Sequence, residues 1–532
     1  MRHILIIAAC LLLVIGDARQ AVAQTQTFSG IDRLNARSVG TIKENNTVVG
    51  YYSFYRLDKV AKGTFTFLLQ VVDGELNNAF KTTITRSKFH FLQEVVYNGK
   101  AYAMLFYNTK TRELELTTFS KEGKEIASST YEALTRKEVL LYQTQGFLSV
   151  EEAGSNKSIF PVGDEGFVRM AFQRDSRKTG YTLEYFPNDL KKANRWKIGS
   201  KPDHPLHETA IVNSVSPSAV SLSVTRAKGA MSKVYSSFVQ AIDLKERKVA
   251  YEIPLSTKDF THSVVLGEYD ETTGQTLVMG NYFRPEDKKM KSKNLGMFAW
   301  LVDSEGGVPI KKYYSWGKDI AKFLPVNQKG KMQDAGYIFM HQIVKADDGR
   351  MYVIGEEYKK EVSGAGVALN LLAAAGGSAS GAANFKIVLQ DFVVFEIAPD
   401  FSLTDVQIFE KKKNNVLLPA GFGYLSVASL GRVVKLYNGF DYAYTEELSG
   451  ENAFYFTYFS RAKQENSKGK MKVKPVFGVI SNDGEEYQSD KVNIDTDAYL
   501  QFIRAGKPGF YTVWEYSKKT KTLKARLEQV NY

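Results

Sequence analysis

One short apolar run returns eight times along the chain, and this recurrence limits the available folds more than any other feature. The runs are TVVGYYSFY from Thr47, KAYAMLFY from Lys100, GFVRMAFQ from Gly166, AVSLSVTR from Ala219, TLVMGNYF from Thr276, MYVIGEEY from Met351, AFYFTYFS from Ala453 and FYTVWEYS from Phe510. Their usual separation is about 55 residues, longer where an insertion intervenes. A period of this length marks a repeat architecture, in which each unit buries its apolar face against its neighbours.

Each of the first seven runs leads into a hairpin-like pair, such as FLLQVVDGELNNAFKTTIT from Phe67 or FAWLVDSEGGVPIKKYYSW from Phe298. An apolar run meets an Asp, Gly or Asn turn and a more polar run returns. A further short run precedes each unit, as in FHFLQEVVY from Phe89, THSVVLGEY from Thr261 and FMHQIVKA from Phe339. Four strands, A to D, therefore make one unit, the size and content of a propeller blade. The expected fold is all-β: a β-propeller of seven or eight four-stranded blades, closed between the N- and C-terminal strands. The last unit shows three strands, and a run near Phe28 to Leu34 would supply its fourth. Inner runs such as VVF and LVMG are apolar throughout, as strands covered on both faces should be. This argues against an outer-membrane barrel, whose strands alternate; a sandwich or several β domains is the other architecture weighed.

In repeat pattern the chain resembles the exported, functionally uncharacterised propeller-like proteins common in Bacteroidota, over nearly all of residues 38–532. No WD dipeptide, kelch double glycine or complete Asp-box stands in the sequence; KADDGRMYV from Lys345 and VDSEGGV from Val302 are partial matches to Asp-box turns. The resemblance carries no functional residue.

The N-terminus reads as a signal peptide spanning residues 1–23. Arg2 and His3 precede an apolar run from Ile4 to Ile15; Gly16, Asp17 and Arg19 break it, and Ala21-Val22-Ala23 supplies the small residues for cleavage before Gln24. The expected location is the periplasm or beyond the cell. A lipid anchor at Cys10 is disfavoured, because an apolar run follows it where a polar tether would stand. Cys10 is the single cysteine, so residues 24–532, read as one domain, hold no thiol for catalysis, zinc or iron–sulfur ligation. No later segment is long and apolar enough for a transmembrane helix.

The formal net charge of +12 is unevenly placed. In a four-stranded antiparallel blade the B–C and D–A loops share one end of the ring, and the A–B and C–D loops share the other. The expected B–C loops (56–63, 108–113, 174–180, 226–233, 284–294, 359–364, 461–474 and 517–524) hold 28 Lys or Arg and 7 Asp or Glu, a net of +21, which leaves −9 for the remainder. The longest are RPEDKKMKSKN from Arg284 and RAKQENSKGKMKVK from Arg461. Asp164-Glu165, Asp270-Glu271, Asp347-Asp348, Glu446-Glu447 and Asp483 with Glu485 and Glu486 fall in turns expected at the opposite end. Such a field attracts and orients polyanions; loop lysines also protect strand ends and keep a protein soluble. Between Glu361 and Phe385, EVSGAGVALNLLAAAGGSASGAANF interrupts the pattern with small and apolar residues, a flexible insertion in which VALNLLAAA has helical character.

These features point to an exported, non-enzymatic binding protein that recognises an anionic glycan, lipopolysaccharide or membrane surface. The contact residues are Arg284, Lys288, Lys289, Lys291, Lys293, Arg461, Lys463, Lys468, Lys470 and Lys472. Nucleic acid is disfavoured by export and the lack of a recognition motif, and the chain is expected to act as a monomer. The alternatives are a carbohydrate-active lyase or hydrolase working in the central channel, or a protein-interaction scaffold. His90, His207, His262 and His341 fall near the starts of A strands. They either converge on the channel or make structural bonds to neighbouring blades. Asp203 to Glu208, DHPLHE, gathers two His and two carboxylates, but Pro205 opposes the helix that would align them. No cofactor or metal is expected.

Overall fold

The protein is described from a computed structural model covering residues 24–530, except 36, 45, 149–156, 175–177, 201–206, 229–234, 288–293, 325–336, 364–384, 419–421, 423–424, 449–451, 466–470 and 494–497. The signal-peptide reading, and all of the 361–385 insertion except its ends, lie outside the described residues.

Eight four-stranded antiparallel sheets follow one another. A short strand, β1 (Thr25–Phe28), comes first in the chain. Blade 1 is β2 (Val39–Glu44), β3 (Thr47–Ala61), β4 (Thr64–Asp73) and β5 (Asn78–Ser87); blade 2 is β6 (His90–Tyr97), β7 (Ala101–Asn108), β8 (Leu114–Ser120) and β9 (Glu125–Thr130). Blade 3 is β10 (Ile159–Val162), β11 (Gly166–Arg174), β12 (Thr179–Pro187) and β13 (Trp196–Gly199); blade 4 is β14 (His207–Val215), β15 (Ala219–Ala227), β16 (Tyr235–Asp243) and β17 (Lys248–Pro254). Blade 5 is β18 (Thr261–Asp270), β19 (Gln275–Phe283), β20 (Gly296–Val302) and β21 (Ile310–Ser315). Blade 6 is β22 (Tyr337–Lys345), β23 (Met351–Val362), β24 (Phe385–Ile397) and β25 (Leu403–Phe409), with β26 (Asn414–Val416) added beside β24. Blade 7 is β27 (Tyr442–Leu448), β28 (Ala453–Glu465), β29 (Met471–Asn482) and β30 (Tyr487–Asn493); blade 8 is β31 (Leu500–Ala505), β32 (Phe510–Ser517) and β33 (Thr522–Gln529), completed by β1. The fold is an eight-bladed β-propeller. The closing strand is Thr25–Phe28, just before the expected Phe28–Leu34; Ile31 and Leu34 instead sit as core residues in the strap that leads to β2.

Burial is graded from the ring's interior outward. Every residue of the B strand β7 is buried, whereas most of the D strand β9 is exposed. The aromatic content goes into the seams between neighbouring sheets: Phe54, Tyr102 and Phe106 between blades 1 and 2, and Phe392, Phe456 and Tyr458 between blades 6 and 7. In five blades the A strand carries one extra residue against its B strand: Gln93, Asn213, Val265, His341 and Ala443. Such bulges redirect a side chain that a regular ladder would send elsewhere.

The turns explain part of the charge pattern. At the C–D corners, Asp73 Oδ1 accepts from the Glu75 and Asn77 amides, Asp303 Oδ1 from Glu305 and Gly307, and Asp483 Oδ1 from Glu485 and Glu486. Asp270 and Asp348 do the same at A–B corners. Acidic residues at that end of the ring are turn formers. The B–C connections of blades 1 and 7 are extended hairpins rather than loops: Lys59 pairs with Phe65, Ala462 with Lys474 and Gln464 with Lys472.

Two α-helices stand among the described residues, in long D–A connections where the sequence showed little helical periodicity. In α1 (Arg136–Thr144), Thr135 and Glu138 form a reciprocal cap. In α2 (Val427–Leu436), Ser426 caps the start. A Cβ on Gly431 would come within 2.5 Å of the Tyr358 hydroxyl, so glycine lets α2 lie directly on blade 6.

Ring closure rests on β1, whose four residues pair with Leu523–Arg526. Phe28 stacks on Trp514 at 5.6 Å, and both are buried. Phe28→Ala is expected to cost about 3–5 kcal/mol and to speed amide exchange selectively at residues 25–28 and 523–526, as read by denaturant unfolding and hydrogen-exchange mass spectrometry.

Candidate functional site

Of the ten basic contact residues read from sequence, Arg284 is described in full and is exposed just after β19. Arg461, Lys463 and Lys472 lie on the paired strands of the blade 7 hairpin, and the other six lie outside the described residues. The same end of the ring carries exposed Lys59, Lys62, Lys110, Lys228, Lys518 and Lys519, with no carboxylate in ion-pair range of them among the described residues.

The four histidines do not meet one another; each serves its own seam. His90 faces Ser87 and, at 3.5 Å, Glu115. His207 lies 3.4 Å from the Thr179 hydroxyl of blade 3. Its neighbour Glu208 pairs with Arg226 at 2.5 Å, and the preceding residues 203–206 are outside the described set. His262 is sealed among Phe298, Trp300 and Tyr313; it bonds the Leu255 carbonyl at 2.7 Å and the Tyr313 hydroxyl at 3.0 Å, and burial pushes its pKa down to about 4. His341, the extra residue of β22, enters a charged cluster between blades 6 and 7.

Glu446 and Glu447 are not turn residues but belong to the A strand β27. Glu447 is solvent-accessible, yet the protein around it, and then Glu268, push its carboxyl up to about 7, with Lys345 opposing. Burial lifts Glu446 to about 6 against the pull of Lys43 from blade 1. Deeper along β6, the Glu94 carboxylate accepts from the Ser158 hydroxyl and amide and the Ile159 amide.

The blade 6–7 seam concentrates more buried charge. Lys411 Nζ lies 2.7 Å from Asp441 Oδ2 and 3.2 Å from Glu356 Oε1, with all three side chains at most 4% exposed. Asn414 donates to the other Asp441 oxygen at 2.7 Å. Glu356 also accepts from the Asp441 and Tyr442 amides, and its Oε2 faces His341 Nε2 at 3.3 Å. Burial, with Lys435 and Lys411 adding to it, keeps His341 well below its ordinary range and therefore neutral. Its Nδ1 lies 3.5 Å from Lys435 Nζ on α2, while its buried Nε2, though 3.3 Å from Glu356, makes no hydrogen bond. Burial raises Asp441 to about 6, with Lys411 restraining the rise. One residue on, the buried Glu357 has an oxygen with no hydrogen-bond partner, and burial and Asp391 lift it to about 8. Among the described residues no group of His, Cys, Asp and Glu is arranged to hold a metal ion.

The sequence signature of a family of unknown function spans residues 1–531. The chain belongs to that family, DUF6770. No curated protein matches this DUF6770 chain. Among solved structures, it is similar to the WD40 domain of SCAP from fission yeast, at 8% identity over 95% of this chain and 98% of that one, with a TM-score of 0.34. It is also similar to prolyl oligopeptidase B from Galerina marginata (10% identity, 86% of this chain, 55% of that one, TM-score 0.32) and oligopeptidase B from Leishmania major (8%, 81%, 52%, 0.32). The DUF6770 chain thus spans about half the length of either peptidase, and at these scores the likeness transfers no function.

Of the seam's charged members, sequence reading singled out His341 alone. The signals for the others were Glu356-Glu357 inside the apolar run MYVIGEEY and the EKKKNN run from Glu410. Lys411→Met leaves Glu356 and Asp441 buried without their cation and is expected to destabilise by about 3–5 kcal/mol in denaturant unfolding. Glu357 has a raised pKa in the fold, so its contribution is fully present below its unfolded value and is lost as pH climbs through about 8. Glu357→Gln should therefore raise the thermal midpoint more at pH 8 than at pH 5; an equal change at both pH values would contradict this assignment.

Proposed function

We propose that this protein is an exported, non-enzymatic binding protein that takes an anionic ligand, an acidic glycan or lipopolysaccharide, on the end of the ring formed by its B–C hairpins. The observation that carries the reading is the set of exposed cations at that end with no carboxylate in ion-pair range among the described residues: Lys59 and Lys62 on blade 1, Lys110 on blade 2, Lys228 on blade 4, Arg284 on blade 5, and Lys518 and Lys519 on blade 8. At the opposite end Asp73, Asp270, Asp303, Asp348 and Asp483 have turn-forming work that accounts for them. Lys110 and Lys518 each lie over an aromatic ring, Phe89 and Tyr499, and keep their charge exposed, and cations gathered from five blades raise the local concentration of a polyanion. Arg461, Lys463 and Lys472, on the paired strands of the blade 7 hairpin, belong to the same proposal, as do Lys288, Lys289, Lys291, Lys293, Lys468 and Lys470, which lie outside the described residues.

A second reading, a carbohydrate-active enzyme working in the channel, draws support from Glu446 and Glu447, whose raised pKa values suit acid–base work near neutrality. The two readings separate experimentally. Residues 24–532 are titrated with heparin, alginate, lipopolysaccharide and neutral dextran at low and high salt, while release of new reducing ends is followed. The binding reading expects salt-sensitive affinity for the acidic probes and no product. Replacing Lys288, Lys289, Lys291 and Lys293 together by Glu should then weaken heparin binding at least about tenfold at low salt. Dextran binding equal to heparin binding, or none to any probe, sinks it.

A further inference from the structure

At two places on the basic end an aromatic ring meets an ammonium that no described carboxylate neutralises. Tyr499 stands immediately before β31, and Lys518 lies in the B–C turn of the same blade. Lys518 Nζ is 5.4 Å from the centre of the Tyr499 ring, and Tyr499 is 64% exposed. Phe89, in the connection from blade 1 to blade 2, has the ammonium groups of exposed Lys88 and Lys110 at 5.1 and 5.8 Å from its ring centre. None of these three lysines has a carboxylate in ion-pair range among the described residues. Two cations over rings at the opposite end differ in this respect. Arg350, over Tyr352, pairs with Asp348 at 2.7 Å, and Lys507, over Phe510, pairs with Glu75 at 2.5 Å. Arg56, over Phe65 on the blade 1 hairpin, is likewise neutralised, by Asp32.

The Tyr499 ring is held in place. Its amide donates to the Tyr516 carbonyl at 2.9 Å, and the two rings meet edge-on, 6.4 Å apart at 75°. The Tyr516 hydroxyl donates to the Ile31 carbonyl at 3.0 Å, which ties the pair to the strap between β1 and β2. Lys518 and Tyr516 leave most of Tyr499 in water. An ordered tyrosine offers a wide amphipathic surface and gives up little rotamer freedom when a ligand covers it. The ring also attracts the ammonium beside it, which restricts a lysine that would otherwise sweep a large volume.

We propose that Tyr499 and Lys518 form a subsite for a pyranose ring that carries an acidic group, the sugar's C–H face lying on the aromatic ring and its acid on the ammonium. Lys88 and Lys110, placed by Phe89, supply charge for further units of the same polymer. A pyranose keeps its hydroxyl-bearing edges hydrated while one face is covered, so an open ring suits it and an enclosing pocket is not required. The inference rests on the polyanion reading and narrows it to a glycan. A lipid phosphate or a polyphosphate offers charge to the lysines but no ring face to Tyr499.

The test titrates residues 24–532 and the variants Tyr499→Ala, Tyr499→Phe and Lys518→Gln with polygalacturonate, dextran sulfate and polyphosphate at low and high salt. Tyr499→Ala is expected to weaken binding of at least one of the two acidic glycans by at least about fivefold and to leave polyphosphate binding within about twofold. Tyr499→Phe keeps the affinity of the unaltered protein, and Lys518→Gln weakens all three probes. The loss in Tyr499→Ala should be the same at both salt concentrations, because stacking is not screened. Retained polyphosphate binding shows that the alanine variant is folded. No loss on either glycan, or an equal loss on polyphosphate, overturns the proposal and leaves the polyanion reading standing. Oligothymidylate binding that falls as far as glycan binding in Tyr499→Ala assigns the ring to any flat group and overturns it as well. If no probe binds the unaltered protein, the polyanion reading falls and this subsite falls with it.

Discussion

The pairing of β1 with β33 is the interaction on which the ring depends. Each blade buries its two faces only against its neighbours, so seven seams form whether or not the ring closes, while the eighth needs the two ends of the chain to meet. Without β1, β33 would be an unpaired edge. The apolar cluster of Phe28, Val48, Tyr51, Leu76, Trp514 and Leu523 would lose its cover between blades 8 and 1. Tyr516 reinforces the joint by donating to the Ile31 carbonyl at 3.0 Å. Closure therefore ties residues almost 500 positions apart into one core, and every A strand takes its place in the channel wall as a consequence.

The division of charge between the two ends follows from the same geometry. An up-and-down blade sends its tight C–D and A–B corners to one end, where Asp and Gly are selected by the turns themselves. Its B–C hairpins and longer D–A connections go to the other, where length is free and side-chain identity is not dictated by a corner. The corner aspartates are thus selected by the turns, whereas the residues of the B–C hairpins answer to no such backbone requirement.

The blade 6–7 seam is the costly part of the molecule. Lys411, Glu356 and Asp441 give up hydration, and a buried ion pair seldom returns that cost in full. The cluster holds because backbone amides of Asp441 and Tyr442, together with Asn414, take the remaining carboxylate lone pairs. A hydrophobic seam of the kind found between blades 1 and 2 would serve stability at least as well.

The blade was legible in the sequence because it is a local object. Short continuously apolar runs, an Asp, Gly or Asn at the turns and a recurrence near 55 residues are features of each unit, and the last unit's missing strand pointed to the N-terminus. The tertiary structure alone decided what the polar residues do. Four histidines in equivalent sequence positions have different surroundings, because a one-residue bulge places His341 among charged groups while His262 is sealed by aromatic rings. Glu446 and Glu447 read as a turn pair and prove to lie within the A strand β27, since the strand runs farther than its apolar residues suggest. Lys411, Lys435 and Asp441 come from one connection and meet Glu356 and His341 from two strands of the preceding blade. Contacts between segments so far apart leave no period in a sequence, and the charged seam exists only where blades 6 and 7 pack together.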